Sequence, residues 1–386
     1  MSRALNIRRV AALVGAASVF LPFLHGASAF GQPAAEPVDH AVVGPAQAEI
    51  DITERLETVR AKFKLPALGA ALFSGDKVLA IGATGLRAIG HDEKVTIDDL
   101  WHLGSCTKAM TATLIATMVE KGELSWDTTL EQGLPELAKE MDAGFKPVTL
   151  RQLVTMTAGV PQHLDLKDVS GEPTQQRVLV AKRCLSRPPV NTPGSTMLYS
   201  NSSFAIAGLI AEIKTGKAWE SLIAERVFTP LEITHFGFGA PGAADSFLQP
   251  RGHLADDSPI HGDNPPAIGP AGTCHMAMRD WAKFLMAHVR SGESVPELLK
   301  PESFTTLHTP LLDGYAMGWA TAQRPWGGNV LNHNGSNTLW LSVTWLSPDK
   351  KFGLLVCTNT AAHDAAQACD QVAQMLIALH AQQFQK

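Results

Sequence analysis

Tyrosine is nearly missing from this chain of 386 residues: it occurs twice, at Tyr199 and Tyr315. Any tyrosine-dependent chemistry must therefore use one of these two. Basic residues do not predominate. Lys and Arg together number 32 against 37 Asp and Glu, and no long Lys/Arg run follows the first few residues. That balance argues against a nucleic-acid partner, which favours a basic face. No C-x-x-C pair is present among the five cysteines, so redox dithiol and zinc-knuckle readings fall away. No G-x-S-x-G occurs, which removes the nucleophile-elbow hydrolases, and no H-E-x-x-H occurs, which removes the zincins. No internal repeat is visible. With 45% hydrophobic and 18% charged residues, the chain can bury a sizeable core.

The longest early apolar run, "VAALVGAASVFLPFL", has 15 residues, whereas a membrane span needs roughly 20. It follows a cationic start, "MSRALNIRR", and precedes Ala27-Ser28-Ala29, whose small residues suit the −3 and −1 positions of a cleavage site. Residues 1–29 read as a secretory signal and 30–45 as a Pro/Ala/Gly-rich linker, leaving 46–386 as the folded domain. The Arg8-Arg9 pair permits a twin-arginine route. No Cys follows the run, so no lipid anchor is implied. The expected location is the periplasm or the exterior, with no stable membrane anchor. An odd cysteine count leaves at least one thiol unpaired.

The pattern Ser-x-x-Lys occurs three times. Ser74 and Lys77 lie in "ALGAALFSGDKVLAIGATGLR", which reads as two strands around a Ser-Gly-Asp turn. Ser347 and Lys350 lie in "TLWLSVTWLSPDKKFGLLVCTN", again two β-branched runs about a turn. Ser105 and Lys108 differ. They open "AMTATLIATMV", Ala109 to Val119, which carries no charge and reads as a helix buried all round. At i and i+3 they share one helical face. Burial lowers a lysine pKa and turns the amine into a proton acceptor. An amide at a helix N-terminus favours a developing anion. The alternative is an N-cap serine beside a lysine that reaches for water; on this segment alone the two readings stand level. Cys106 inside the turn reads as a small buried residue rather than a thiol nucleophile.

Elsewhere "AEIDITERLETVRAKFK" has helical spacing, with Ile50, Leu56, Val59 and Phe63 on one side. "TLRQLVTMTAG" and "NSSFAIAGLIAEIKTG" read as helices that stop at Gly159 and Gly216. "DAAQACDQVAQMLIALHAQQF" reads as a closing amphipathic helix. His253, Asp256, Asp257, His261 and Asp263 crowd one stretch, but Pro259 and the glycines make it a solvated loop near the site entrance rather than a metal site.

Two further elements complete a pattern. Tyr199 precedes Ser200 and Asn201 at the start of a helix. A phenol serves as a base only if cations lower its pKa, which a nearby lysine does. His333-Asn334-Gly335 lead into a strand, where glycine admits close approach of a ligand. In order, Ser-x-x-Lys, Tyr-x-Asn and His-x-Gly resemble the serine hydrolases of the class C β-lactamase family. That family includes D,D-carboxypeptidases, D-amino-acid amidases and β-lactamase-like esterases. "VTLRQLVTMTAGV" and "GPAGTCHMAMRDWAKFL" also match family landmarks, and the resemblance covers nearly all of the mature chain.

The resemblance implies an α/β (α+β) fold: an antiparallel sheet from both chain ends, flanked by helices, with a mostly helical lobe from roughly 105–300. It implies Ser105 as acylated nucleophile, Lys108 in its deprotonation, and Tyr199 as the group that passes the proton to the leaving group and later helps activate water. Asn201 would bind the substrate's acyl-side amide, with His333, Asn334 and Gly335 lining the substrate site. The Ser105 and Ser336 N–H groups would form the oxyanion hole. No metal or organic cofactor is implied. The expected ligand is a small or peptide-like substrate, and the expected state is a monomer. His333 stands where many members have Lys, and Asn334 replaces a hydroxyl residue that often contacts a substrate carboxylate; both weaken an efficient β-lactamase. Met156-Thr157-Ala158-Gly159 replaces a frequent His-Thr-Ser-Gly. The substrate stays open among β-lactam, D-Ala peptide, amide and ester. A different class, a non-catalytic peptidoglycan- or protein-binding member, also remains, although Ser105, Lys108 and Tyr199 are all present.

Overall fold

The computed structural model describes residues 48–384, apart from 76, 163–165, 292–294, 296–297 and 363. Residues 1–45, read above as a secretory signal and linker, lie outside the described residues. Twelve strands are formed among the described residues: β1 Ile50–Asp51, β2 Ala67–Ser74, β3 Lys77–Gly85, β4 Leu100–His102, β5 Phe236–Phe238, β6 Gly252–His253, β7 Pro259–Ile260, β8 Cys274–Ala277, β9 Ala320–Arg324, β10 Gly328–Ser336, β11 Leu341–Ser347 and β12 Phe352–Thr358. The helices are α1 Thr53–Phe63, α2 Thr107–Glu120, α3 Leu130–Gly133, α4 Leu150–Val154, α5 Pro173–Leu185, α6 Asn201–Thr215, α7 Trp219–Ile223, α8 Gly269–Gly272, α9 Met278–Val289, α10 Pro301–His308 and α11 Ala365–Gln383.

Both chain ends build the main sheet, in the order β1-β3-β2-β12-β11-β10-β9. Every neighbouring pair is antiparallel except β1 with β3, which is parallel. The hairpins β2–β3 and β11–β12 are the two turns that absorbed the outer Ser-x-x-Lys matches. The sheet is covered on both faces, so its central strands are apolar throughout rather than alternating. Ala71 and Phe73 of β2, and Leu355 and Cys357 of β12, face the large core shared with α2, α6 and α9. Leu72, Leu354 and Val356 face a second core shared with α1 and α11. Each fully buried Leu or Val contributes about 1.5–3 kcal/mol relative to exposure.

The middle of the chain is mostly helical, but it also supplies a small sheet, β4-β8-β5, and the two-stranded β6-β7. Ile50 belongs to β1, paired with Ala80, and not to the first helix. The Asp51 carboxylate accepts the Thr53 N–H at 2.8 Å and starts the helix there. The helix read up to Gly159 ends at Val154. Met156 turns the chain through φ +60°, and its carbonyl accepts the Leu198 N–H at 2.7 Å. A non-glycine residue held in that region costs of order 1–3 kcal/mol and persists only where surrounding contacts impose it. The cluster from His253 to Asp263 is solvated only in part: Asp256 and His261 are exposed, but its first and last members are not. Its ends form β6–β7, His253 is fully buried, and the Asp263 side chain is only 6% exposed. All five cysteines are buried and unpaired, Cys106 among them. No described helix is long and apolar enough to cross a membrane.

Candidate active site

Ser105 sits in a 3-10 turn, Gly104–Cys106, that feeds α2. Every α2 residue from Thr107 to Met118 is buried, as an uncharged helix requires. Lys108 is fully buried in the first turn of α2. Its Nζ lies 3.0 Å from Ser105 Oγ, 2.7 Å from Asn201 Oδ1 and 2.8 Å from the Ala271 carbonyl, so a neutral amine can donate to the last two and accept from the serine. All three partners are uncharged. With no carboxylate to hold its proton, burial lowers the Lys108 pKa well below the usual ammonium range.

Tyr199 lies just before α6, whose N-cap is Ser200 rather than Asn201. The Ser200 Oγ accepts the Ser203 N–H at 3.4 Å and donates to the Pro161 carbonyl at 2.8 Å. The Ser200 N–H points to Met156 Sδ at 3.3 Å, so the Met156 segment holds the backbone on both sides of the tyrosine. Tyr199 hydrogen-bonds Ser105, and Lys108 Nζ stands 4.8 Å from its ring centre. Burial nonetheless raises the Tyr199 pKa. The reading in which a lysine cation lowers it fails because Lys108 is itself pushed towards the neutral amine. The phenol keeps its proton.

His333, on β10, is 2% exposed. Its Nδ1 lies 2.7 Å from the Asn334 carbonyl, which can only accept, so Nδ1 carries the proton. Nε2 then accepts from the Tyr315 hydroxyl at 3.4 Å. Burial lowers the His333 pKa to about 3. The position is neutral near pH 7, with both nitrogens engaged inside the protein. Asn334 lies elsewhere: its Oδ1 is 3.5 Å from Asn332 Nδ2, on the alternate face of the strand.

The end of β10 runs against the serine turn. A Cβ on Gly335 would lie 2.8 Å from the Ser105 nitrogen, and one on Gly104 would lie 2.4 Å from the Ser336 nitrogen. Gly104 also has φ +49°, a region that glycine enters without steric cost. Absent side chains at these two positions let the amides of Ser105 and Ser336 approach one another.

The structure therefore brings together Ser105, Lys108, Tyr199, Asn201, His333, Gly335 and Ser336 as the motifs suggested. The sequence reading missed the partners: Tyr315 on His333, the Ala271 carbonyl on Lys108, and a His102–Asp263 contact behind the turn. The scarcity of tyrosine was the one available signal for Tyr315. A backbone carbonyl leaves no trace in residue type. Among the described residues, no group of three or more His, Cys, Asp or Glu is arranged to hold a metal ion.

Comparison with known proteins bears on the fold and the family. The chain is 28% identical to penicillin-binding protein 4 of Amycolatopsis lactamdurans over 62% of its length and 63% of that protein. It is 25% identical to an unguisins hydrolase of Aspergillus campestris over 80% of its length and 61% of that protein. It thus spans less than two thirds of these relatives. The D-alanine carboxypeptidase AmpC from Burkholderia cenocepacia superposes with a TM-score of 0.70 at 19% identity, covering 85% of this chain and 97% of that one, a likeness of fold. Residues 52–376 match the beta-lactamase family model, and the chain belongs to the β-lactamase family.

Proposed function

We propose that this chain is an exported serine hydrolase that cleaves an ester or amide through an acyl-enzyme on Ser105. The observation that carries the reading is Lys108: a fully buried amine, 3.0 Å from Ser105 Oγ, with no acidic partner. A neutral amine there accepts the Ser105 proton as Oγ attacks the substrate carbonyl. The oxygen of that carbonyl becomes the oxyanion and takes hydrogen bonds from the Ser105 and Ser336 N–H groups. Tyr199, protonated and hydrogen-bonded to Ser105, hands its proton to the departing alcohol or amine and recovers one through Lys108. Water then attacks the acyl-enzyme by the reverse path, giving the acid and free Ser105.

The chemistry at His333 favours a substrate without a carboxylate at that end. A neutral imidazole bonded to Asn334 and Tyr315 offers no cation to an anion. Neutral esters and blocked amides fit this site better than a β-lactam acid or a free D-Ala terminus. The test is parallel turnover of an aryl acetate, a blocked D-amino-acid amide and benzylpenicillin. A neutral substrate is expected to turn over fastest, with all activity lost in Ser105→Ala. Preferred hydrolysis of benzylpenicillin would reverse the substrate assignment, and full activity in Ser105→Ala would remove the mechanism. The cationic start, apolar run and small-residue site at residues 1–29 support the export reading.

A further inference from the structure

A buried ionisable pair that these steps do not use lies behind the nucleophile. His102, the last residue of β4, is fully buried. Its Nδ1 accepts the Gly104 N–H at 3.1 Å. A nitrogen that accepts carries no proton, so the ring proton is on Nε2. Nε2 is 2.7 Å from Asp263 Oδ1, a close charge contact that lacks the alignment of a hydrogen bond. The carboxylate thereby favours the tautomer that leaves Nδ1 free for Gly104.

Asp263 reaches further than His102. The same Oδ1 accepts Asn337 Nδ2 at 2.8 Å and the Asn264 N–H at 2.6 Å. Asn337 directly follows Ser336, whose amide is one oxyanion donor. Asn264 Nδ2 donates to the Gly272 carbonyl at 3.0 Å, one residue from the Ala271 carbonyl that receives Lys108. One buried oxygen atom ties the serine turn, the end of β10 and the lysine's carbonyl to one another.

We propose that His102 and Asp263 are positioning residues that set the spacing between the Ser105 and Ser336 amides. The inference rests on the reading of Ser105 as the acylated nucleophile. Its physical basis is that hydrogen bonds weaken steeply with misalignment, and oxyanion donors act only where charge develops. A loosened turn still binds substrate but holds the tetrahedral oxyanion poorly. The effect belongs in kcat rather than KM.

The test compares removal with replacement. His102→Leu deletes the acceptor for Gly104, whereas His102→Asn puts an amide oxygen where Nδ1 stood. Asp263→Ala deletes the shared oxygen, whereas Asp263→Asn keeps it. Each purified full-length variant is assayed on an aryl acetate and titrated with an aryl boronic acid, whose tetrahedral serine adduct directs an oxygen at the two amides. The removal variants are expected to lose roughly 100-fold or more in kcat, with KM near the parent value and boronate affinity falling in step. The Asn replacements are expected to recover most of both. Parent-like kcat and boronate affinity in the removal variants would overturn the proposal. So would equal losses in the Asn replacements, because packing alone would then explain them. If a removal variant does not fold, Asn337→Ala carries the test. It cuts the Asp263 link to the oxyanion strand, and unchanged kcat and boronate affinity would again overturn the proposal. Ser105→Ala in the same series separates the failures. Activity there removes the acyl-enzyme reading and the inference with it, whereas an inactive Ser105→Ala beside normal His102 and Asp263 variants removes the inference alone.

Discussion

Gly335 passes so close to the serine turn that a Cβ on it would lie 1.9 Å from the Leu103 carbonyl oxygen. No side-chain adjustment relieves a clash between two backbones. Gly335→Ala is therefore expected to push β10 away from Ser105 and separate the Ser105 and Ser336 amides. Losing one oxyanion donor costs roughly 10²–10³ in kcat, and the overpacking costs about 1–3 kcal/mol of stability. Steady-state kinetics and a urea midpoint on the same preparation check both. A fully active, fully stable variant would show that this contact does not set the site.

Lys108→Met tests the proton acceptor and the burial of its amine together. Turnover is expected to fall by roughly 10²–10⁴. The stability signature has a definite sign. Burial lowers the Lys108 pKa in the folded protein, while the unfolded chain takes up that proton below about pH 10.4. Between those limits the unfolded state holds the extra proton, so this group makes stability rise with pH. The variant lacks the term. Urea midpoints at pH 7 and pH 10 are expected to shift in favour of the parent as the pH rises; no relative shift would mean that Lys108 stays charged when folded.

Tyr199→Phe keeps the ring that packs against Lys108, Tyr315 and His333 and removes only the hydroxyl. The fold is expected to hold, with kcat lower by roughly 10²–10⁴. Burst kinetics on an activated aryl ester locate the loss. Because an aryl phenolate departs without a proton, acylation suffers less than deacylation, and acyl-enzyme accumulates.

Acid lability is expected from two histidines without acidic partners, His288 fully buried and His308 partly buried. His288 and His308 meet at 2.9 Å between α9 and α10, packed with Phe304 and Trp319. Burial lowers the His308 pKa to about 3 and holds His288 well below its usual value. The unfolded chain protonates each near pH 6.5. Stability from these groups is complete above that pH and is lost as the pH falls towards 3, by up to roughly 1.4 kcal/mol per pH unit for each. Urea midpoints at pH 7, 6 and 5 are expected to decline less steeply in His308→Asn. An unchanged slope would place the lability elsewhere.

The sequence made parts of this molecule legible and hid others for identifiable reasons. The two hairpins were visible because β-branched runs flank Ser-Gly-Asp and Ser-Pro-Asp turns. The uncharged stretch of α2 singled out Ser105 and Lys108 because a lysine has few reasons to open a buried helix. The order of the three motifs then placed Tyr199, Asn201 and His333 beside them. What stayed hidden depends on contacts distant in the chain. Ile50 left the helix because Ala80 offered strand pairing. The His253–Asp263 stretch is exposed at Asp256 and His261 as read, but its two ends are withdrawn from water by partners distant in the chain: the His102 ring for Asp263, and the Ile89 N–H and Asn359 carbonyl for His253. The charge state of His333 needed the hydroxyl of Tyr315 and the carbonyl of Asn334, and local spacing encodes neither role.

The most direct test of the central claim is the intact mass of Tyr199→Phe, quenched in acid seconds after mixing with an activated aryl ester, followed by peptide mapping. One acyl group on the peptide bearing Ser105 is expected, absent from a Tyr199→Phe/Ser105→Ala double variant. An acyl group on another residue, or release of the aryl alcohol by the double variant at the rate of Tyr199→Phe, would contradict Ser105 as the nucleophile.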